Sequence, residues 1–380
     1  MSSVLTTTWS TLPPELLYLV LEQDTLGSSA AAQRVQRQLL LSCSLVCRSW
    51  ANVAQSLLFQ NVELDPCGDY RGRLARLVHN LSYSLNSLDR KHLAHAVRTI
   101  TFDIGAHWSS PGKLCTHADA SSVALAVHCC PRLRYLRLTV REGVRHAFSE
   151  SNLGLLRRTR TVTKLSIRAD SSPMLPQLLN VWPQLTFLDS RTSSGIPCPL
   201  PAFSELPARC AIRELHASST APDAIARLAA PFACSLRALT LVSHQRTGAP
   251  PTRPLLDGSV SLPALASATL DCEFDEHTLN ALPNTLEHVG LVFWDRALFS
   301  VVREFIFRRR DTIKALSLLE PSKPLSTPRG ADEHGLLDLC AKSGIAVRYR
   351  TRVRSVRAAA LLATAYHTLQ EELVTAGGVW

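Results

Sequence analysis

Six side chains that could bind a metal ion lie within 24 residues of one another: His107, Cys115, His117, His128, Cys129 and Cys130. Structural zinc sites usually offer their cysteines as C-x2-4-C pairs. Cys129 and Cys130 are adjacent instead, and the spacing of the histidines is irregular. Cys43 and Cys47 lie in an apolar, helix-like setting without histidine partners. The sequence therefore predicts no metal site and no cofactor.

Acid–base catalysis would require titratable side chains that converge on one point. The candidates are His216, His288 and Asp271, which lie in three strand-like segments. The sequence contains no phosphate-binding glycine loop, no G-x-S-x-G turn and no H-E-x-x-H helix. The chain is therefore predicted not to be an enzyme, with a hydrolase or transferase as the less favoured alternative.

The composition is that of a globular protein. The 380 residues are 46% hydrophobic and 19% charged, which excludes a chain disordered throughout and suggests roughly two to three domains. No apolar stretch reaches the length of a membrane span, and residues 1–10 do not have the pattern of a signal peptide. The 11 cysteines are scattered and odd in number, so we expect reduced, buried thiols. These features predict a cytoplasmic or nuclear protein that does not contact membranes.

Basic residues outnumber acidic residues by 41 to 31, which gives a formal net charge of +10. Arg308, Arg309 and Arg310 follow an apolar helix-like run, where cations complement the negative end of the helix dipole. A second group alternates with uncharged residues and predicts an edge strand protected against pairing: Arg348, Arg350, Arg352, Arg354 and Arg357. Nucleic-acid binding is not favoured. A nucleic-acid-associated or scaffold protein is still the main alternative, and a steep loss of binding with salt would distinguish it.

The elements that must position these side chains follow a repeat. Its core is apolar-x-x-apolar-x-apolar, in which two side chains point the same way from an extended strand and a third closes the preceding turn. Nine copies begin at Val97, Leu133, Val162, Leu185, Ile212, Leu236, Leu265, Leu286 and Ile313. The intervals between them are 36, 29, 23, 27, 24, 29, 21 and 27 residues. Their mean of about 27 residues lies within the range of leucine-rich repeats.

Helix-like segments separate the copies, so each strand–helix unit would bury its apolar face only against its neighbours. We therefore predict an α/β fold in which residues 96–350 form an irregular leucine-rich-repeat solenoid of about nine repeats. Residues 66–95 are expected to form a helical linker or N-terminal cap. Residues 351–380 are expected to form the end of the last strand and a helical cap. An ordinary α/β domain with leucine-rich strands is the alternative.

On such a ladder, a substrate would contact the strand face opposite the buried leucines. This face begins basic and becomes neutral or acidic along the chain, which suits an extended or acidic segment of a protein substrate. The predicted substrate-binding residues are Tyr135, Arg137, Lys164, Arg168, Phe187, Asp189, Glu214, His216, Thr240, Asp271 and His288.

Residues 9–65 are predicted to be helical throughout. Prolines and Glu15 suit the start of a first helix, where they fit the first turn and the positive end of the dipole. A soft insert over residues 24–32 separates this helix from a second apolar stretch over residues 39–60. The apolar side chains of the first helix are expected to share one face: Leu16, Leu17, Val20 and Leu21.

This segment resembles the F-box motif, which opens with leucine-proline-x-glutamate-leucine and later carries a valine-cysteine-arginine-x-tryptophan core. The corresponding residues are 12–16 and 46–50. Residues 40–45 and 54–64 also resemble the ending common in fungal F-box proteins with leucine-rich repeats. The linker over residues 22–38 is longer than in the family, but a polar insert can loop out at about 0.6 kcal/mol per doubling of its length.

The resemblance implies a substrate-recognition subunit of an SCF-type cullin-RING ubiquitin ligase. Its N-terminal three-helix F-box-like unit would dock on a Skp-family adaptor, and through it on a cullin, while the solenoid captures an unknown protein substrate. A unit of this size cannot bury both faces of its helices, so part of its apolar surface needs a partner. The alternative is that the same helices only cap the solenoid. The expected adaptor-binding residues are Leu12, Pro13, Leu16, Leu17, Val20, Leu45, Val46, Cys47, Trp50, Leu57 and Leu58.

Overall fold

The computed structural model describes residues 13–23, 30–64, 69–86, 91–110, 113–116, 118–140, 147–168, 174–191, 210–218, 228–242, 261–271, 274–292, 298–320 and 331–351. These residues fall into two compact units. The helical unit ends at Asn61, and the sheet unit spans Val62–Thr351.

The helical unit contains three helices, α1 (Pro14–Gln23), α2 (Ala30–Cys43) and α3 (Arg48–Gln60). Both α1 and α2 pack against α3. Apolar residues three or four positions apart lie on one side of a helix, and these spacings bring the buried side chains together. The core consists of Leu17, Leu21, Leu40, Cys43, Val53, Ala54 and Leu57.

The middle helix differs from the sequence-based expectation. The predicted linker over residues 22–38 contains the first two turns of α2, whose alanine, glutamine and arginine residues are strong helix formers. The predicted apolar stretch over residues 39–60 is also interrupted. Leu45 N donates to Ser42 O at 3.0 Å, and Val46 N donates to Cys43 O at 3.2 Å. These three-residue turns end α2, and the extended backbone of Cys47 starts α3.

The sheet unit contains all other described elements. Its strands are β1 (Asn61–Glu63), β2 (Thr99–Ile104), β3 (Ala106–Ser110), β4 (Lys113–Thr116), β5 (Tyr135–Val140), β6 (Lys164–Arg168), β7 (Phe187–Arg191), β8 (Glu214–Ser218), β9 (Ala238–Val242), β10 (Ser267–Asp271), β11 (His288–Val292), β12 (Ala315–Glu320) and β13 (Ala346–Thr351). Eleven form one sheet in the order β1-β2-β5-β6-β7-β8-β9-β10-β11-β12-β13. From β2 to β13 all neighbours in this sheet are parallel. The pair β3–β4 is a separate antiparallel hairpin, which the repeat pattern did not predict.

Helices precede or separate most of these strands: α4 (Tyr70–Asn86), α5 (Lys91–Ala96), α6 (Ala120–His128), α7 (Glu150–Arg157), α8 (Met174–Val181), α9 (Glu276–Asn280), α10 (Leu298–Arg308) and α11 (Ala331–Lys342). Side-chain caps fix where several begin, because the carboxylates of Asp119 and Asp275 and the hydroxyl of Ser149 accept first-turn N–H bonds. Gly344, with a φ of 70°, lies just beyond the end of α11 in the left-handed conformation that favours glycine.

Each of the nine predicted repeat copies coincides with a strand, namely β2 and then β5 to β12. The apolar positions of the repeat are buried as expected, as Leu133, Leu136 and Leu138 around β5 illustrate. The equivalent positions of the other copies join the same hydrophobic core. A mixed α/β architecture with a helical N-terminus and a long parallel sheet is therefore confirmed.

A repeated hydrogen-bond pattern aligns the starts of neighbouring strands. The carbonyl oxygen of Arg98 accepts from the backbone N–H groups of both Arg134 and Tyr135, at 2.9 and 3.0 Å. The carbonyl oxygen of Arg134 in turn accepts from Thr163 and Lys164. The same two-donor pattern continues at Thr163, Thr186, Arg213, Arg237, Ala266 and Glu287.

The ends of the sheet unit meet the sequence-based expectations in part. The described part of residues 66–95 contains α4 and α5, and Tyr70, Leu74 and Leu81 enter the core of the sheet unit. β13 carries Arg348 and is the last strand in the sheet order, as an edge strand should be. The predicted cap beyond Thr351, including Arg352, Arg354 and Arg357, lies outside the described residues.

The described cysteines are free thiols: Cys43, Cys47, Cys129, Cys130, Cys210, Cys234 and Cys340. Five of these seven are buried, whereas Cys47 is half-buried and Cys234 is exposed. In the part of the chain that the structure describes, no helix has the length and apolar character to cross a membrane.

Candidate functional site

The helical unit exposes an unusual number of large apolar side chains for its size. Leu16 and Val20 on α1 are 49% and 55% exposed, and Leu45 and Val46 in the turn after α2 are 87% and 57% exposed. Leu19 on α1 and Leu41 near the end of α2 are exposed as well. We call these six residues the exposed apolar set: Leu16, Leu19, Val20, Leu41, Leu45 and Val46.

The first helix divides its leucines between two faces, which corrects the single face predicted from the sequence. Leu17 and Leu21 are one turn apart and point into the core of the helical unit. Leu16 and Val20 are also one turn apart, but they lie on the solvent side. Adjacent apolar residues diverge by about 100° around a helix, so one partner helix cannot cover both pairs.

The predicted adaptor-binding residues are therefore distributed over core and surface. Leu17 and Leu57 are buried in the helical unit itself, where they support the helices from inside. Trp50 and Leu58 are half-buried and pack against that core, Cys47 is half-buried and Pro13 is exposed. Leu12 lies outside the described residues. Sequence reasoning missed Leu19 and Leu41, although Leu19 follows Leu16 by three residues on the same helix.

The turn between α2 and α3 holds Leu45 and Val46 outward. Ser44 Oγ donates to the carbonyl oxygen of Leu41 at 2.6 Å, which reinforces the end of α2. Cys47 Sγ lies 3.1 Å from Ser49 Oγ at the start of α3. This hydrogen bond, aided by the backbone at Trp50, lowers the pKa of the Cys47 thiol. The turn is thus ordered by its own polar contacts and not by burial of its apolar side chains.

The second candidate surface is the face of the large sheet opposite the leucine core. Parallel register places Tyr135, Lys164 and Phe187 next to one another on β5, β6 and β7. Glu214 on β8 continues this row beside Phe187. A second row, two residues further along each strand, contains Arg137, Ser166, Asp189, His216 and Thr240. Eight of the eleven predicted substrate-binding residues therefore lie on one face.

An aromatic cluster occupies the middle of this face. The ring centroids of Phe187 and Tyr135 are 5.9 Å apart at an interplanar angle of 81°, and those of Phe187 and His216 are 4.9 Å apart at 70°. The Arg137 guanidinium lies 4.6 Å from the centroid of Tyr135, and Lys164 Nζ lies 5.7 Å from that of Phe187. Edge-to-face rings and stacked cations hold each other in place, so this cluster presents a preformed surface.

A buried carboxylate, that of Asp189, binds a cationic side chain next to this cluster. Asp189 accepts a hydrogen bond from Ser166 Oγ at 2.9 Å and from Arg191 Nε at 2.8 Å. The hydrogen bond to Asp189 raises the pKa of Arg191, although burial opposes this shift. Sequence reasoning predicted Asp189 as a substrate contact and missed Arg191. In the structure Asp189 is buried and holds the guanidinium of Arg191, whose backbone is in register with Arg168 on β6.

The far part of the face carries fewer charges. Thr269 on β10 is in register with Thr240 and with Gly290, where a Cβ would approach the Thr269 hydroxyl to 2.8 Å. Gly290 therefore leaves the room that the Thr269 side chain occupies. His288 is exposed at the start of β11, and Asp271 is in register with Val242 at the end of β10.

The candidate acid–base residues do not come together. His216 and His288 lie on β8 and β11, three strands and therefore about 14 Å apart across the sheet. His216 Nε2 instead contacts the Glu214 carboxylate at 3.0 Å on its own strand. The strand order thus separates the two histidines that the sequence analysis named as catalytic candidates.

The described metal-capable residues lie on β3, on β4 and at the end of α6. Cys129 and Cys130 are buried, and desolvation raises the pKa of both thiols. His107 pairs with Cys115 across the β3–β4 hairpin, and His117 lies outside the described residues. Among the residues that the structure describes, no group of three or more His, Cys, Asp or Glu side chains could hold a metal ion.

Comparison with known proteins adds one finding for the helical unit. Residues 9–65 match the family model of the F-box-like domain, the segment that resembled the F-box motif by its sequence. No curated protein matches the chain. A solved sugar phosphate isomerase/epimerase from Parabacteroides distasonis is similar over 74% of this chain and 83% of that chain, with 8% identity and a TM-score of 0.18. That likeness is too weak to support an argument about this chain.

Proposed function

We propose that the chain is a non-catalytic substrate receptor of an SCF-type cullin-RING ubiquitin ligase, acting in the cytoplasm or nucleus. The helical unit docks on a Skp-family adaptor and through it on a cullin. The sheet unit is a leucine-rich-repeat solenoid, of the kind found in fungal F-box proteins, whose open face captures a protein substrate. The observation that carries the proposal is the F-box-like domain at residues 9–65, with exposed apolar side chains on α1, on α2 and in the turn after α2.

Adaptor docking accounts for the surface chemistry of the helical unit. Burying one leucine or valine side chain contributes about 1.5–3 kcal/mol, so leaving Leu16, Val20, Leu45 and Val46 in water forgoes a substantial stabilisation. A monomer that functioned alone would gain solubility from polar residues at these positions. Leu45 and Val46 are also held outward by an ordered turn, which reduces the entropy that binding must remove.

Substrate capture accounts for the exposed sheet face. Aromatic and arginine side chains are enriched among the residues that dominate binding energy at protein interfaces. Tyr135, Phe187 and Arg137 combine both types in one preformed cluster. Lys164, Arg168 and Arg191 make its surroundings basic, while Asp189 is buried and already paired. This charge suits an acidic stretch of the substrate.

Co-purification with a Skp-family adaptor tests the docking assignment. We expect the double substitution Leu16→Asp with Val46→Asp to abolish adaptor binding, because two buried charges would be introduced into an apolar interface. The matched control replaces two exposed apolar residues of the sheet unit, Leu125→Asp with Phe307→Asp, and is expected to bind normally. Adaptor binding that survives the first double substitution would contradict the docking assignment.

Substrate capture is tested by comparing bound proteins. A substrate should co-purify with the wild type and with the Leu16→Asp, Val46→Asp variant, but not with Phe187→Ala or Arg137→Ser. Ubiquitination of that protein should require both surfaces. A protein whose capture is insensitive to Phe187 and Arg137 would place the substrate site elsewhere on the chain.

A further inference from the structure

We propose that the turns preceding strands β2 and β5 to β9 form a second binding surface, which takes an extended acidic segment of another protein. This surface lies at the edge where the parallel strands begin, not on the sheet face described above. We call it the basic edge. Its residues are Arg98, Arg132, Arg134, Arg158, Arg160, Arg213 and Arg237.

Backbone hydrogen bonds place these arginines in sequence along one line. The carbonyl oxygen of Arg98 binds the N–H of Arg134 in the next unit, and that of Arg213 binds the N–H of Arg237 in the unit after it. Thr163 and Thr186 fill the two positions of the line between Arg134 and Arg213. Arg132 lies in the same turn as Arg134, and Arg158 and Arg160 lie in the turn that precedes Thr163.

Side-chain hydrogen bonds between neighbouring turns keep this edge rigid. Arg98 Nη1 donates to the carbonyl oxygen of Arg132 at 3.2 Å, and Thr161 Oγ1 donates to that of Pro131 at 3.0 Å. Gln184 Nε2 donates to the carbonyl oxygens of Arg160 and Val162, each at 3.1 Å. The backbone that carries the arginines is therefore fixed before a partner binds, which lowers the entropy lost on binding.

The described turns that carry the basic edge are rich in positive charge. The described parts of these turns are residues 97–98, 129–134, 158–163, 182–186, 210–213 and 233–237, which contain seven arginines and no acidic residue. Six of the seven arginines are exposed, and none of those six forms an ion pair with a described carboxylate. The same edge changes character further along, where Lys314 pairs with Glu287 at 2.8 Å.

Helix dipoles explain only part of this charge. Arg158 follows α7 directly, where a cation complements the negative end of the helix. Arg134 comes six residues after the end of α6, and Arg237 comes five residues after the 3-10 turn that ends at Phe232. Because dipole effects decline within one turn of the helix end, these arginines need another explanation.

The chemistry of the edge favours an acidic polypeptide over a nucleic acid. Proteins that bind single strands usually interleave cations with exposed aromatic rings on which bases stack. The described turns of the basic edge contain one aromatic residue, Trp182, and it is buried. Guanidinium groups bind carboxylates in a two-pronged geometry that needs no stacking platform. No more than two acidic residues are consecutive anywhere in the chain, and we therefore assign the acidic segment to another protein.

The length of the edge sets the length of the segment. Five strand spacings of about 4.8 Å separate β2 from β9, which gives about 24 Å. An extended peptide covers that distance with about eight residues. The matching probe is therefore a fluorescein-labelled peptide of about eight consecutive glutamates.

Fluorescence anisotropy with the full chain tests the proposal at near-physiological salt. The variant carries Arg134→Ser, Arg213→Ser and Arg237→Ser. Its control carries Arg71→Ser, Arg303→Ser and Lys342→Ser, which removes the same charge from exposed positions of α4, α10 and α11. We expect the first variant to bind the peptide at least about tenfold more weakly than wild type, and the control to stay within about threefold.

Three results would overturn the proposal. The first is no measurable binding of the peptide by the wild type, and the second is an equal loss in both triple variants. The third is binding of a single-stranded or duplex oligonucleotide that is tighter than the peptide and depends on the same three arginines, which would assign the edge to nucleic acid. The Leu16→Asp, Val46→Asp variant should keep peptide affinity, so this test is independent of adaptor docking.

Discussion

The helical unit and the sheet unit treat large apolar side chains in opposite ways. The sheet unit buries the leucines of its repeats in one core, and its large exposed apolar residues among those described are Tyr83, Leu125 and Phe307. The helical unit has a small core, yet it exposes apolar residues on α1, α2 and the following turn. Three short helices cannot enclose both faces of α1, whereas each strand of a parallel stack is covered by its neighbours.

Stability and binding therefore depend on different residues of the protein. Residues that repeat along the sheet hold the sheet unit together, so substitutions there should unfold it. Residues on the outer face of the helical unit contribute little to its folding, so substitutions there should change binding alone.

Trp182→Ala should destabilise the sheet unit strongly. Trp182 is fully buried, and its Nε1 donates to the carbonyl oxygen of Leu156 at 3.2 Å. Removing the side chain creates a large cavity and loses this bond, at a cost of about 3–5 kcal/mol. Urea unfolding followed by circular dichroism measures this cost. Leu125→Ala, on the exposed side of α6, should change the free energy of unfolding by less than about 0.5 kcal/mol. If Trp182→Ala and Leu125→Ala lowered the free energy of unfolding by similar amounts, the proposed difference between core and surface positions would be wrong.

Two neighbouring leucines of α1 provide the sharpest comparison within one helix. Leu17→Ala should destabilise the helical unit by about 2–5 kcal/mol, because Leu17 is buried in a small core. Leu16→Ala should leave stability nearly unchanged and weaken adaptor binding by about tenfold or more. Thermal unfolding and adaptor titration measure the two quantities on the same samples. If Leu16→Ala lowered the unfolding temperature as much as Leu17→Ala, the outer face would belong to the fold and not to docking.

Much of the sheet unit follows from sequence because its pattern is local. Leu136 and Leu138 alternate with Tyr135 and Arg137, and this alternation alone predicts which side of the strand faces the core. The helical unit is less predictable. Leu16 and Leu17 are adjacent, so the partner helix α3 decides which of them is buried, and the sequence pattern cannot.

Other features depend on contacts between strands that are far apart in sequence. Asp189 is recognisable as a polar residue between buried neighbours, but its hydrogen bond from Ser166 depends on the register of β6 and β7. The start of α2 could not be predicted for a different reason. Its arginines and glutamines do not form an apolar face, so hydrophobic periodicity does not reveal the helix, which forms through their intrinsic helix propensity.

Alkaline unfolding should report on Tyr70, a residue of the sheet-unit core. Burial raises the pKa of Tyr70 to about 12, and its hydroxyl oxygen accepts a hydrogen bond from Asp103 N at 3.1 Å. Because the pKa in the folded state is above the ordinary value of 10, the neutral phenol stabilises the fold below pH 10. This contribution is lost as the pH rises from 10 towards 12. Tyr70→Phe should therefore flatten the decline of stability over that interval. An unchanged slope would show that Tyr70 ionises as freely in the folded state as in the unfolded chain.

The reactivity of cysteine thiols should differ between the two units, and this measurement needs no substitution. Hydrogen bonds lower the pKa of Cys47 at the edge of the helical unit, whereas burial raises that of Cys130 in the sheet unit. Since the thiolate is the reactive form, iodoacetamide at neutral pH should label Cys47 readily and Cys130 only after unfolding. Peptide mapping by mass spectrometry measures both sites. A bound adaptor should slow labelling of Cys47 and leave Cys130 unchanged.

The carbonyl groups that each accept two backbone hydrogen bonds determine which parts of such a protein can change in evolution. They align the starts of strands β5 to β12, although the intervals between the starts of successive repeats vary from 21 to 36 residues. Insertions and deletions between strands can therefore accumulate without shifting the side chains on the open face. The helices and loops between the strands can then diverge among related proteins while the spacing of the residues on the sheet face stays constant.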